Sequence, residues 1–124
     1  MKQTFYICKH CGNLIAMLCD HGVPVFCCGE KMQKIEPGQT EASGEKHIPV
    51  YTLDGSTVHV TVGALPHPMT QEHYIAWICL ESEHGIQYTH LSPDDEPRAK
   101  FSLCDGDEVR AVYAFCNQHN LWRN

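Results

Sequence analysis

Residues 56–63 read STVHVTVG. Val58, Val60 and Val62 alternate with Thr57, His59 and Thr61, a period of two that puts β-branched apolar side chains on one face of an extended chain and polar ones on the other. A half-buried strand of this kind needs paired neighbours and a second apolar layer. The flanking sequence offers both. HIPVYTL (47–53), IQYTHL (86–91), AKFSL (99–103) and EVRAVYAFC (108–116) are short apolar-rich runs, and HYIAWICLES (73–82) is apolar on both faces, as a central strand should be. Turn chemistry at LDGS (53–56), EHGI (83–86), SPDDEP (92–97) and CDGD (104–107) separates them. About six or seven short strands in roughly 80 residues predict an antiparallel β-sandwich of immunoglobulin-like type.

Upstream the composition changes. IEPGQTEASGEK (35–46) is rich in Gly, Pro, Ser, Thr and charge and reads as a boundary. We expect a metal-bound head at 1–36, a linker that starts an active-site loop at 37–46, and the sandwich domain at 47–124. The head carries CKHCG (8–12) and FCCG (26–29), so Cys8 and Cys11 face Cys27 and Cys28 across fifteen residues. Some 36 residues cannot bury a sufficient apolar core. Four thiolates closing on one ion would make metal binding part of the folding free energy. Zinc and iron both suit such a set. The adjacent pair is unusual, because a short backbone link restricts the angle between its two sulfurs. Cys19 reads as a small hydrophobe on a strand, and Cys79 and Cys104 as buried thiols.

Eight cysteines and nine histidines in 124 residues are the other distinctive counts. No apolar signal core follows the first residues, MKQTFYICKH, so a cytoplasmic address with reduced thiols is expected and metal ligation is preferred to disulfides. The most apolar run, YIAWICL (74–80), is too short to cross a membrane as a helix. A net charge of −6 argues against binding nucleic acid or anionic membranes by bulk charge.

His47, His67, His73, Cys116 and His119 all fall in loops or at strand ends, where distant segments can converge at one rim of a sandwich. His59, His84, His10, His21 and His90 do not share this character and read as ordinary surface or satisfied histidines. Pro66 and Pro68 flank His67 and stiffen its loop. Trp77 and Trp122 read as packing residues, with Trp122 close enough to the Cys116 loop to shield its sulfur.

The segments CKHCG, CCGEKM, EKHIPV, TVGALPHPM, EHYIAWI and CNQHNLW, in this order and spacing, resemble the desulfoferrodoxin family, the two-iron class of superoxide reductase. The resemblance covers nearly the whole chain. It implies that Cys8, Cys11, Cys27 and Cys28 hold one iron in a desulforedoxin-type centre. It also implies that His47, His67, His73 and His119 hold a second iron in one plane with Cys116 axial. The activity implied is one-electron reduction of superoxide to hydrogen peroxide, with an external, rubredoxin-like donor restoring the ferrous state. By the same resemblance Lys46 attracts the anion and assists protonation, Glu45 can take the vacant position of the oxidised centre, and the assembly is a homodimer. Asn120 stands where the family commonly has glycine, which bears on the loop's left-handed backbone rather than on a ligand. A metal-stapled electron-transfer or protein-binding module is the alternative from another class.

Overall fold

The computed structural model describes residues 2–38 and 44–124. Positions 39–43 of the expected linker lie outside them. The chain divides into two compact units, Met1–Glu36 and Pro37–Asn124.

The first unit contains β1 (Thr4–Ile7), β2 (Leu14–Met17), β3 (Phe26–Cys27), β4 (Glu30–Lys31) and β5 (Gln33–Ile35). They form an antiparallel sheet in the order β2-β1-β5 and a separate β3-β4 hairpin. Its buried apolar side chains are few, chiefly Phe5, Cys8 and Met32, too little to hold such a small unit by burial alone. Cys28 and Gly29, the two residues between β3 and β4, both have positive φ, 54° and 77°. That is the two-residue hairpin turn whose twist matches the flanking strands, with cysteine at the position usually given to Asn or Asp.

The second unit opens with one helical turn, α1 (Gly44–His47), and continues with β6 (Pro49–Asp54), β7 (Thr57–Val62), β8 (Ile75–Ser82), β9 (Ile86–His90), β10 (Arg98–Ser102), β11 (Val109–Cys116) and β12 (Asn120–Arg123). Two antiparallel sheets, β10-β7-β6 and β12-β11-β8-β9, enclose the core. The β7 alternation works as the sequence requires. Val58, Val60 and Val62 are at most 1% exposed and join Phe101 of β10 against Ile78 and Leu80 of β8 and Val112 and Ala114 of β11. Cys116, the last residue of β11, belongs to the same cluster. β8 lies inside its sheet, between β11 and β9, with seven of its eight residues buried.

The chain is thus mainly β, with a cysteine-bearing first unit and a sandwich, as expected. The sandwich has one strand the residue patterns did not single out. β12 is too short for periodicity to reveal, and it forms because Asn120 adopts φ 64° and pairs back onto Cys116. Two thiols depart from expectation. Cys19 is exposed in a bend after β2, not on a strand, and Cys104 is exposed in the turn after β10, not buried, because both sit where the chain leaves its sheet. Cys79 is buried on β8.

Candidate metal centre

In the first unit the sulfurs of Cys8, Cys11, Cys27 and Cys28 lie within 4.8 Å of one another. Two loops place them. The Cys8–Gly12 turn is closed by Gly12 N–H donating to Cys8 O at 2.9 Å and Cys8 N–H donating to Asn13 O at 2.8 Å. The left-handed Cys28 brings the second pair round. Asn13 donates its backbone N–H to Cys11 Sγ (3.4 Å) and its side-chain amide to Cys27 Sγ (3.7 Å). The backbone N–H of Cys11 leads several donors that lower the Cys8 thiol to about 6. Cys27 and Cys28 are raised, Cys28 to about 12, because the Cys11 and Cys8 sulfurs beside them disfavour a further negative charge. Four sulfurs this close become thiolates together only around a cation. Iron fits such a set.

The second unit gathers its donors at one rim of the sandwich. His47 ends α1, His67 lies on the β7–β8 connection, His73 just precedes β8, Cys116 ends β11 and His119 sits in the β11–β12 turn. Ligand atoms of His47, His67, His73 and Cys116 lie within 4.8 Å of one another. His119 Nδ1 is 3.1 Å from His47 Nε2 and 3.8 Å from Cys116 Sγ. Ring centroids run 4.6 Å from His47 to His67, 4.7 Å on to His73, 5.0 Å on to His119 and 4.9 Å back to His47. The diagonal from His47 to His73 is 6.2 Å. The four imidazoles therefore form a square, each ring steeply inclined to its neighbours.

His67 Nδ1–H donates to Pro68 O at 2.7 Å, which leaves Nε2 as a lone pair aimed at His47 Nε2, 3.1 Å away. His73 Nε2 is buried without a hydrogen-bond partner. Burial holds His67 down to about 4 and lowers His73, so both are neutral. Burial also raises Cys116, against backbone N–H groups of Gln118 and His119 that favour its thiolate. An orphaned buried nitrogen, His73 Nε2, beside the His67 lone pair and a cysteine sulfur is a set that a cation would complete. Imidazoles with one thiolate fit iron, zinc and copper alike, and carboxylate-binding ions poorly.

A family model described as desulfoferrodoxin matches residues 39–124. The chain belongs to the desulfoferrodoxin family. It is 40% identical to a desulfoferrodoxin of Clostridium acetobutylicum over 97% of this chain and 94% of that protein. Identity to a desulfoferrodoxin of Nitratidesulfovibrio vulgaris is 39%, over 98% and 95%. Among solved structures, the superoxide reductase from Treponema pallidum superposes with a TM-score of 0.86 at 39% identity, over 100% of this chain and 99% of that one.

Several contacts around the square lie beyond what the sequence patterns reveal. Trp122 is more than packing: its ring lies 4.8 Å from that of His47 and its Nε1–H donates to His119 O at 3.1 Å. Gly63 N–H donates to Ile48 O (3.0 Å) and Leu65 N–H to Glu45 O (3.0 Å), so the connection bearing His67 clasps α1. Gly63 has φ 86°, and a Cβ there would meet Lys46 O at 2.7 Å. That glycine stood inside TVGALPHPM, but nothing in its neighbours announced a clash. Glu45, held by its carbonyl, and Lys46 beside it keep exposed side chains, and the Lys46 charge is near enough to help disfavour a charged His73. Asn117 and Gln118, the two polar residues between Cys116 and His119, reach across to the segment around His73. Of the histidines set aside, His10 pairs with Glu30 at 3.0 Å. His59, His84 and His90 lie on β7, in the β8–β9 turn and at the end of β9. Among the described residues no helix is long and apolar enough to cross a membrane.

Proposed function

We propose that this chain is a superoxide reductase, reducing superoxide by one electron to hydrogen peroxide at the centre formed by His47, His67, His73, His119 and Cys116. The observation that carries this reading is the square of four imidazoles with a buried cysteine sulfur beside it. The T. pallidum superoxide reductase, matched end to end, supports the enzyme over a metal-stapled electron-transfer or binding module. Iron bound there would supply a one-electron donor and a Lewis-acidic position for an anion.

The rest is the work of the chain. Four neutral imidazoles and a single thiolate contribute only one negative charge, so a divalent ion held there would keep a net positive charge and would attract an anionic substrate. Lys46 adds a cation next to His47 in sequence, and its exposed ammonium meets superoxide before the centre does. At about 6 Å that cation is worth ~0.7 kcal/mol at the dielectric of water and ~3 kcal/mol at an effective value of 20. It also brings water-exchangeable protons to the side where product forms. Glu45 offers a carboxylate on the same exposed turn, able to cover the open side once product has left. Trp122 packs on His47 and keeps water from that flank of the ligand set. Cys8, Cys11, Cys27 and Cys28 would hold a second iron, which would tie the first unit together. A rubredoxin-like donor, a homodimeric assembly and a cytoplasmic location complete the reading.

The test is rapid mixing of the pre-reduced, iron-loaded protein with superoxide, with peroxide and oxygen assayed together. A new thiolate-to-ferric absorption with peroxide and no oxygen is the expected result. A fully loaded, reduced centre that leaves superoxide unconsumed would overturn the proposal.

A further inference from the structure

Five consecutive backbone polar groups around His73, from Glu72 O to Tyr74 O, are all occupied. Thr70 takes the two that belong to His73: Thr70 O and Oγ1 accept from His73 N–H at 3.2 Å each, and Thr70 N–H and Oγ1–H donate to His73 O at 2.9 and 3.2 Å. Asn117 takes the other three. Its Oδ1 accepts from Tyr74 N–H at 2.9 Å, its own N–H donates to Tyr74 O at 3.1 Å, and its Nδ2 donates to Glu72 O at 3.1 Å. Gln118 Nε2 donates to the same Glu72 carbonyl. Asn117 thus grips both neighbours of His73 and is bonded directly to Cys116.

We infer that Asn117 is a positioning residue that fixes His73 relative to Cys116, and so aims the thiolate of the metal centre without being a ligand itself. The inference rests on the ligand set proposed above. Cys116 ends a core strand and is fully buried in the core cluster, whereas His73 lies on a connection with no strand pairing of its own. Asparagine suits the task because it accepts and donates at once from one short side chain. Aspartate would keep the Tyr74 bond, lose the Glu72 bond and set a carboxylate against a carbonyl. Alanine would keep only the backbone bond. Outer partners of this kind hold ligand direction, and their loss commonly weakens metal binding ten- to a hundredfold.

The experiment uses the full, iron-loaded chain with Asn117→Ala and Asn117→Asp. The control is Gln87→Ala, which removes another cross-chain side-chain bond, Gln87 Nε2 to Ser102 O at 2.7 Å, away from the centre. Three properties are read: the rate at which ferrous iron leaves the His and Cys centre for an excess chelator, the wavelength of the thiolate-to-ferric band, and the midpoint potential. Both Asn117 variants are expected to lose iron about ten- to a hundredfold faster, with a displaced band and potential, while Gln87→Ala matches wild type. Asn117→Ala agreeing with Gln87→Ala in all three would overturn the inference. Should Asn117→Ala fail to fold, Asn117→Ser, which shortens the grip and keeps one polar group, decides by the same readouts. Superoxide is not consumed in any of them, so an error about the reaction would leave this result standing.

Discussion

Trp122 lies over His47 with ring centroids 4.8 Å apart and planes 30° apart. The same indole donates to the His119 carbonyl, so one side chain braces two corners of the imidazole square. Trp122→Phe keeps the stacking and loses the hydrogen bond; Trp122→Ala loses both and opens a cavity. Thermal denaturation should show Trp122→Ala destabilised by about 3–5 kcal/mol, and chelator competition should show iron held less tightly than in Trp122→Phe. Equal iron retention in the two variants would refute the bracing role.

Lys46 is exposed on the turn that carries His47. Lys46→Ala should slow superoxide capture by about threefold to about a hundredfold, since each 1.4 kcal/mol is roughly a decade in rate. Lys46→Arg should restore most of it. The deficit should shrink as salt is added, because screening already weakens what the lysine contributes. Stopped-flow rates that stay at wild-type values at low ionic strength would remove Lys46 from the mechanism.

Gly63 combines φ 86° with a backbone contact that a methyl group would violate. Gly63→Ala should cost at least about 2 kcal/mol, from left-handed strain and from separating α1 from the His67 connection. Urea unfolding of the metal-free protein measures it. A cost below a few tenths of a kcal/mol would mean that the clasp is slack.

Acid should weaken the metal-free second unit through His67. Its ordinary value is 6.5 and burial lowers it to about 4, so the unfolded chain binds this proton more readily than the folded one. The contribution is fully present above about pH 6.5, declines as pH falls, and is spent below about pH 4. His73 moves in the same direction. Denaturant titrations between pH 7.5 and 4.5 should show this decline, and His67→Gln should flatten it; an unchanged slope would contradict the assignment.

Removing metal from the first unit should unfold it, since Phe5, Cys8 and Met32 make too small an apolar core. The second unit has its own two-sheet core and should persist. Amide exchange on the metal-free protein should show fast exchange in β1, β2 and β5 with protection kept in β8 and β11. Protection surviving in β1 would mean that the ion is dispensable there.

Much of this was legible because the relevant physics is local. The alternation of Val58, Val60 and Val62 alone specifies a half-buried strand, and the run at 75–82 reads as central because both of its faces are apolar. Cys8, Cys11, Cys27 and Cys28 announced a cluster by spacing. His47, His67, His73, Cys116 and His119 stood out by their position in loops and at strand ends, while their roles as ligands of one iron came from the resemblance. Gly63 and Asn117 stayed hidden as parts of the site, and Trp122 was placed near Cys116 without its contacts to His47 and His119, because these roles are relations between segments far apart in the chain, which no local pattern encodes. Cys19 and Cys104 misled for a related reason. A thiol's apolar character predicts burial on average, and whether the chain has already turned out of its sheet depends on where neighbouring strands stop.

The Cys28–Gly29 turn has one more consequence. A two-residue hairpin loop admits only one alignment of its strands, and here one of the two loop residues carries a sulfur of the cluster. A slip of a single position would rotate that sulfur out of reach and flip every side chain of the hairpin. An ion held by the four sulfurs would therefore favour this strand alignment over a slipped one, so that loading would select the correctly threaded hairpin.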